Sequence, residues 1–186
     1  VGCGTGFRRC GVLKVSTRDD LEALYGWQRT RDVRLSFLDG DEARRLEPVL
    51  APTIASAVHF PDEAQVDPPQ LLRALQQGCA AAGVTFRTGT IVSGIARASG
   101  KTIGVDVQDG RIEAGAVVVA AGSWSSMVSG LPDDLRRVRP VRGQIVQVET
   151  RPAIARNIVF GERGYVVTRP DGRTLLGATM EEVGHV

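Results

Sequence analysis

The pattern of apolar and polar positions predicts short strands and a few helices along the chain. Its longest continuous apolar run is AVVVAA at residues 116–121, followed by Gly122, Ser123 and Trp124. A run without alternation is typical of a parallel strand that is covered on both faces. We therefore predict a strand over residues 116–121, a turn at Gly122 and a helix over residues 124–129 capped by Ser123. This arrangement places cofactors at the carboxyl edge of α/β sheets, but any parallel strand that ends in a turn shares the pattern.

Three more helices are predicted from capping residues and apolar stripes. A helix is expected over residues 18–31, because a threonine precedes it and acidic residues fill its first turn. A short helix is expected to begin at Asp39 or Asp41. A longer one is expected after Asp67, with proline in its first turn and Gly83 at its end.

The remaining apolar segments predict strands. They cover residues 11–15, 35–38, 56–60, 84–87, 91–96, 102–108, 111–113, 143–149, 157–160, 164–169 and 174–178. Within them, Ile103, Val105 and Val107 alternate with polar residues and precede Asp109-Gly110, a strong tight-hairpin signal. We therefore predict a small antiparallel meander just before the run at residues 116–121.

The order of these elements predicts an α/β fold combined with α+β parts. Residues 68–138 have α/β character, whereas residues 1–67 and 139–186 are rich in antiparallel strands. The two flanks are expected to share one sheet, with the middle segment belonging to a second domain.

Composition restricts the function classes. The 186 residues carry 23 basic and 21 acidic side chains, a net charge of +2 that gives no reason to expect nucleic-acid binding. Cys3, Cys10 and Cys79 are odd in number and share no metal or redox spacing, which favours a reducing cytoplasm. No apolar run approaches the ~18 residues of a membrane span.

The first residues of the chain do not complete a dinucleotide-binding loop. Gly2, Gly4 and Gly6 are present, but Phe7 occupies the position of the last glycine. The chain begins without methionine, and we expect it to be a piece of a longer protein.

Five segments in collinear order resemble glycine oxidase, a member of the D-amino-acid oxidase and sarcosine oxidase superfamily. They are TGFRRCGVLKV, FPDEAQVDPPQLLRAL, VVVAAGSWS, VRPVRGQ and GYVVTRPDGRTLLGATMEEVG. The resemblance implies a Rossmann-like FAD-binding domain interleaved with a substrate domain built on a mixed sheet. Residues 1–67 and 139–186 would belong to the substrate domain, and residues 68–138 to the FAD-binding domain.

The resemblance also implies roles for individual residues. By similarity, the backbone of Val92 meets the adenine of FAD, and Gly122 lies near the flavin. The neighbours of Gly122 are further candidate contacts, namely Ala121, Ser123 and Trp124. Tyr165 would hold the substrate carboxylate through its hydroxyl, and Met180 would line the active site. No catalytic side chain and no metal ligand is implied within the chain. The family's glycine-rich loop and carboxylate-binding arginine are expected outside residues 1–186.

The implied activity is FAD-dependent oxidation of glycine or a small amine. The products are an imine, then an oxo acid, ammonia and hydrogen peroxide, with dioxygen as oxidant, and the iminoacetate would serve thiamine thiazole synthesis. A sarcosine oxidase, a D-amino-acid dehydrogenase relative, and a non-catalytic fragment or interaction module of the same fold are alternatives. FAD is expected in the parent protein and not in this chain alone. We expect a cytoplasmic protein with neither nucleic-acid nor membrane partners, and homo-oligomerisation stays open. From chemistry alone Arg142 and Arg169 are carboxylate-binding candidates, although a structural role is favoured for both.

Overall fold

The structure is a computed structural model that describes residues 4–185, apart from the side chains of residues 135 and 136. Gly2 and Cys3 lie outside the described residues. The chain forms two compact units. Unit 1 comprises the described residues up to Gly83 together with Gly143–Thr179, and unit 2 comprises Val84–Arg142 with the described residues from Met180 onward. The assignment of segments to a cofactor-binding and a substrate-binding domain stays a prediction.

Unit 1 is built on a seven-stranded mixed sheet. The strands of the whole chain are β1 (Arg8–Arg9), β2 (Val12–Ser16), β3 (Ser36–Asp39), β4 (Ser56–Phe60), β5 (Ala64–Gln65), β6 (Val92–Ala98), β7 (Lys101–Val107), β8 (Gly110–Glu113), β9 (Ile145–Glu149), β10 (Ile158–Gly161), β11 (Gly164–Thr168) and β12 (Arg173–Gly177). The large sheet has the order β3-β4-β2-β10-β11-β12-β9. Only β2 and β10 are parallel within it, and they join the two flanks of the chain. This pairing confirms that the two flanks share one sheet.

The core of unit 1 is formed mainly by residues of this sheet and of helix α2 (Gly40–Leu46). Leu13, Val15, Ala57 and Val159 from the strands are buried there with Ala43 of the helix. The helix begins as predicted, because the Asp39 carboxylate accepts a 2.8 Å hydrogen bond from the Glu42 N–H. The Glu42 carboxylate in turn accepts a 3.1 Å bond from the Asp39 N–H, which completes a capping box.

The other two helices differ in how far the prediction holds. Helix α3 (Pro68–Ala81) follows the prediction, with Asp67 accepting from the Gln70 N–H at 3.2 Å. The helix predicted over residues 18–31 is wrong in extent. Only α1 (Leu21–Tyr25) is α-helical, and a 3₁₀ helix over Gly26–Thr30 follows it. Two features account for the short α-helix. Its N-cap, Asp20, makes no side-chain hydrogen bond. Gly26 ends it, and a glycine in a helix interior lowers helix stability by about 1 kcal/mol relative to alanine.

The antiparallel meander of unit 2 is confirmed. Strands β6, β7 and β8 form one three-stranded sheet, and Val107 pairs with Gly110. The turn between β7 and β8 therefore consists of Gln108 and Asp109, one residue earlier than the predicted Asp109-Gly110. Gly110 is the first paired residue, with a φ of +128° that favours glycine.

Three predicted elements of unit 2 are wrong. Residues 84–87 and 116–121 are not strands, and residues 124–129 are not an α-helix. A 3₁₀ helix covers Gly122–Met127 instead, so that Ala121 and not Ser123 is its N-cap. A parallel strand needs a hydrogen-bonded neighbour, and no described residue pairs with residues 116–121 as part of a sheet. The run accordingly leaves Val118 91% exposed.

Candidate functional site

Unit 1 contains a cleft of about 740 Å³ lined by strands of the large sheet and the loops beside them. We call it the sheet cleft. Its polar lining comes from six residues: Ser16, Thr17, Thr53, Gln144, Tyr165 and Thr179. Its charged lining, among the described residues, is Glu162 and Arg163. The volume is within the range of about 300–1,000 Å³ that is usual for small-molecule sites.

Tyr165 is fixed in the sheet cleft by its two neighbouring strands. It lies on β11, opposite Phe160 of β10 and Gly177 of β12. Its ring centroid is 5.4 Å from that of Phe160. A Cβ placed on Gly177 would lie 2.8 Å from both Cζ and the hydroxyl oxygen of Tyr165. The phenol therefore lies directly over the backbone of β12, in space that any side chain at position 177 would occupy.

The Tyr165 hydroxyl is available to a ligand. The ring is half-buried, and within residues 4–185 the hydroxyl makes no hydrogen bond to the protein. A tyrosine hydroxyl can donate to a carboxylate, and a rigid ring loses little conformational freedom on binding. The structure thus places Tyr165 where it could orient an acidic ligand. Its role with a substrate carboxylate stays a prediction.

Met180, the other predicted substrate contact, follows Thr179 in the chain and belongs to unit 2. Its side chain is 85% exposed. The predicted contact of Met180 with a substrate stays a prediction.

The five predicted cofactor contacts all belong to unit 2. Val92 and Ala121 line one small apolar hollow of about 170 Å³ together with Ile95, Val105, Val128 and the run at residues 117–120. Gly122, with a φ of +54°, begins the 3₁₀ helix that carries Ser123 and Trp124. Trp124 contacts the His185 ring, with centroids 5.5 Å apart. The structure therefore brings Val92 and Ala121 together and places the other three on the adjoining helix.

The lining of the unit 2 hollow bears on the predicted FAD contacts. All of its lining side chains are apolar, which suits the edge of an aromatic ring, and a Cβ at Gly122 would meet no atom within 4 Å. The hollow is smaller than usual sites for whole ligands. No predicted phosphate-binding group lines it. The contacts of Val92, Ala121 and Gly122 with the cofactor stay a prediction.

The two arginines that chemistry alone suggested are engaged in structural contacts. Arg142 is paired with the Glu181 carboxylate. Arg169 is only 6% exposed, and its guanidinium donates to the Val66 carbonyl at 2.9 Å and to Gln65 Oε1 at 3.3 Å. Arg169, which belongs to unit 1, does not line the sheet cleft.

A buried carboxylate beside Arg169 holds this part of unit 1 together. Asp67 is 2% exposed and accepts a 2.6 Å hydrogen bond from Arg173, while Arg169 Nε lies 3.9 Å away. The hydrogen bond from Arg173 lowers the pKa of Asp67, although burial by itself would raise it.

The imidazole of His59, on β4, is also perturbed. Burial lowers its pKa, and this effect outweighs a hydrogen bond with Asn157 that raises it.

Sequence reasoning missed two residues of the sheet cleft, Arg163 and Gly177. Arg163 lies in the turn between β10 and β11, where no regular strand period indicates which side chains share a face. Gly177 had no sequence signal either, because its contact with the Tyr165 ring depends on the register of β11 with β12.

Within the described residues, no helix has the length and apolarity needed to cross a membrane. The same residues contain no group of three or more His, Cys, Asp and Glu side chains suited to a metal ion.

Comparison with known proteins gives this geometry a family context. The model of the FAD dependent oxidoreductase (DAO) family matches residues 1–186. The bifunctional protein ThiO/ThiG of Synechocystis sp. is 32% identical over 98% of this chain and 27% of its own length. The glycine oxidase of Geobacillus kaustophilus is 32% identical over 96% of the chain and 48% of its own length. The crystal structure of Bacillus cereus glycine oxidase superposes with a TM-score of 0.85 at 29% identity, covering 98% of this chain and 51% of that one. The chain thus spans about half the length of the glycine oxidases that it matches, and it belongs to the FAD dependent oxidoreductase (DAO) family.

Proposed function

We propose that the full-length protein containing this chain is an FAD-dependent oxidase of small amino acids, with glycine as its simplest substrate. Two relatives carry the name glycine oxidase, and both match nearly the whole chain. The single observation that carries the proposal is the Tyr165 hydroxyl, which faces the sheet cleft without a hydrogen-bond partner among the described residues.

Unit 1 would bind and orient the substrate. The Tyr165 hydroxyl donates a hydrogen bond to the substrate carboxylate, and Phe160 with Gly177 holds the ring in place. The exposed Thr53 offers a further hydroxyl along the cleft. Fixing the carboxylate fixes the α-carbon, and correct placement of the reacting atom is a large part of catalysis in such enzymes.

FAD would supply the two-electron acceptor that oxidises the amine to an imine, and dioxygen would regenerate it with release of hydrogen peroxide. Water then hydrolyses the imine to an oxo acid and ammonia. Val92 and Ala121 of unit 2 would contact the cofactor through their apolar hollow, and Gly122 would allow its close approach.

The test uses the full-length protein reconstituted with FAD. Oxygen consumption and peroxide formation are measured with glycine, sarcosine and D-alanine, and dye reduction is measured in parallel. Peroxide formed with glycine supports the proposal. Dye reduction without oxygen consumption would instead indicate a dehydrogenase, and the absence of turnover with every amine would favour a non-catalytic module.

A further inference from the structure

The two charged side chains that line the sheet cleft differ in their partners. Glu162 Oε1 lies 3.6 Å from the Arg18 guanidinium, which also lies 3.4 Å from the Asp20 carboxylate. Arg163, in contrast, makes no hydrogen bond or ion pair with any residue of the described chain. A guanidinium carries a full positive charge and presents a planar set of donors that matches a carboxylate. Among the described residues, Arg163 is therefore a cation in the cleft lining without an ion-pair partner.

Arg163 and Tyr165 lie in different parts of the same cleft. Gly161 pairs with Gly164, so Glu162 and Arg163 form the two-residue turn between β10 and β11. Tyr165 is two residues further along β11, which separates the two Cα atoms by about 6–7 Å. Its phenol lies sideways over Gly177 of β12, whereas the exposed Arg163 is at the turn. A ligand held by the phenol could thus present a second group to the guanidinium.

We propose that Arg163 binds a second acidic group of the substrate, so that the sheet cleft favours amino acids with a carboxylate besides the α-carboxylate. This inference rests on the proposed function. It assigns the α-carboxylate to Tyr165 and the second carboxylate to Arg163. The matched pair of probes is sarcosine and N-(carboxymethyl)glycine, which share the glycine unit and differ by one carboxylate on the N-substituent.

The first experiment compares kcat/KM of the full-length flavoprotein and its Arg163→Gln variant at low ionic strength. The variant should lose about tenfold with N-(carboxymethyl)glycine, the value of roughly one charge-assisted hydrogen bond, and should change less than about twofold with sarcosine. Arg163→Lys should restore part of the loss. The control is Arg45→Gln, which removes the same charge from an exposed position of unit 1 outside the cleft. Added salt should weaken the dicarboxylate preference of the wild type, because the site is solvent-exposed.

A second experiment measures binding without turnover. Calorimetric titration with acetate and malonate should show tighter binding of malonate, and the difference should disappear in Arg163→Gln. Equal losses with sarcosine and N-(carboxymethyl)glycine, or no loss with either, would overturn the assignment while leaving an amino-acid oxidase in place. Malonate binding that depends on Arg163 in a protein that oxidises no amine would support the site and refute the proposed function.

Discussion

Replacement of Gly177 by alanine should displace the Tyr165 phenol and weaken substrate binding. The new Cβ would lie 2.8 Å from Cζ and the hydroxyl oxygen of Tyr165 and 3.1 Å from Ile145 Cγ1. The φ of Gly177 is not positive, so alanine is acceptable to the backbone and the perturbation acts through these contacts. The ring must move by a few tenths of an ångström, because Cβ contacts under 3.0 Å essentially never occur and nine in ten lie at 3.4 Å or more.

The magnitude follows from two terms. Overpacking of this kind costs about 1–3 kcal/mol of folding stability. Loss of the hydrogen bond from Tyr165 to a carboxylate costs about 1.5–3 kcal/mol of binding, or roughly a ten- to hundredfold weaker affinity. We therefore expect KM for glycine to rise by about that factor, with a smaller change in kcat.

The assay is steady-state oxygen consumption together with a glycine titration of the flavin absorbance. The matched control is Gly78→Ala in helix α3, where an added Cβ meets no atom within 4 Å. A double-mutant cycle supplies the decisive comparison, since Gly177→Ala should have little further effect once Tyr165→Ala has removed the ring. Wild-type affinity in Gly177→Ala, or an equal loss in both backgrounds, would refute this reasoning.

Four further predictions use the same full-length protein or the chain itself. Tyr165→Phe should weaken glycine binding by about ten- to hundredfold through loss of one charge-assisted hydrogen bond, and an unchanged apparent affinity would contradict the assigned role. Glu47→Ala should lower the free energy of unfolding, measured in urea, by about 2–4 kcal/mol, because this 1% exposed carboxylate accepts hydrogen bonds from the Arg156 and Asn157 N–H groups at 2.9 Å. Replacement of the exposed Glu22 by alanine is the control, and equal losses of stability in the two variants would contradict a stabilising role of these buried hydrogen bonds. The lowered pKa of Asp67 means that its ion pair stabilises the fold above the unfolded-state pKa of about 3.9 and that this stabilisation is lost as the pH falls through the lower folded-state value. The stability difference between wild type and Asp67→Asn should therefore be constant near neutral pH and shrink in acid, and a difference independent of pH would contradict it. The chain expressed alone should bind FAD weakly or not at all, because its few apolar contacts must offset several kcal/mol of lost translational and rotational freedom, and a stoichiometric yellow complex after desalting would show otherwise.

Sequence patterns predicted the structure correctly where the residues that form a feature lie within a few positions of one another. Asp39 and Asp67 cap α2 and α3 as predicted, because a side-chain oxygen reaches N–H groups only three residues ahead. The alternation of Ile103, Val105 and Val107 correctly predicted strand β7 of the meander. The predicted turn after β7 differs from the observed one by a single residue. The family also came from the sequence, through resemblance over nearly the whole chain, whereas the roles of Tyr165 and Val92 stay predictions.

Tertiary structure alone decided which distant residues meet. The run at residues 116–121 has strand character in sequence, but a strand forms only beside a partner, and none of the described residues pairs with it. Likewise, no local pattern shows that Gly177 makes room for the Tyr165 ring, since that contact depends on the β11–β12 register. The sequence by itself thus determined the capped helices, the meander and the family, because these depend on near neighbours or on long collinear similarity. The shape of the sheet cleft and the placement of Arg163 within it depended on pairing between strands that are far apart in the chain, which only the folded structure specifies.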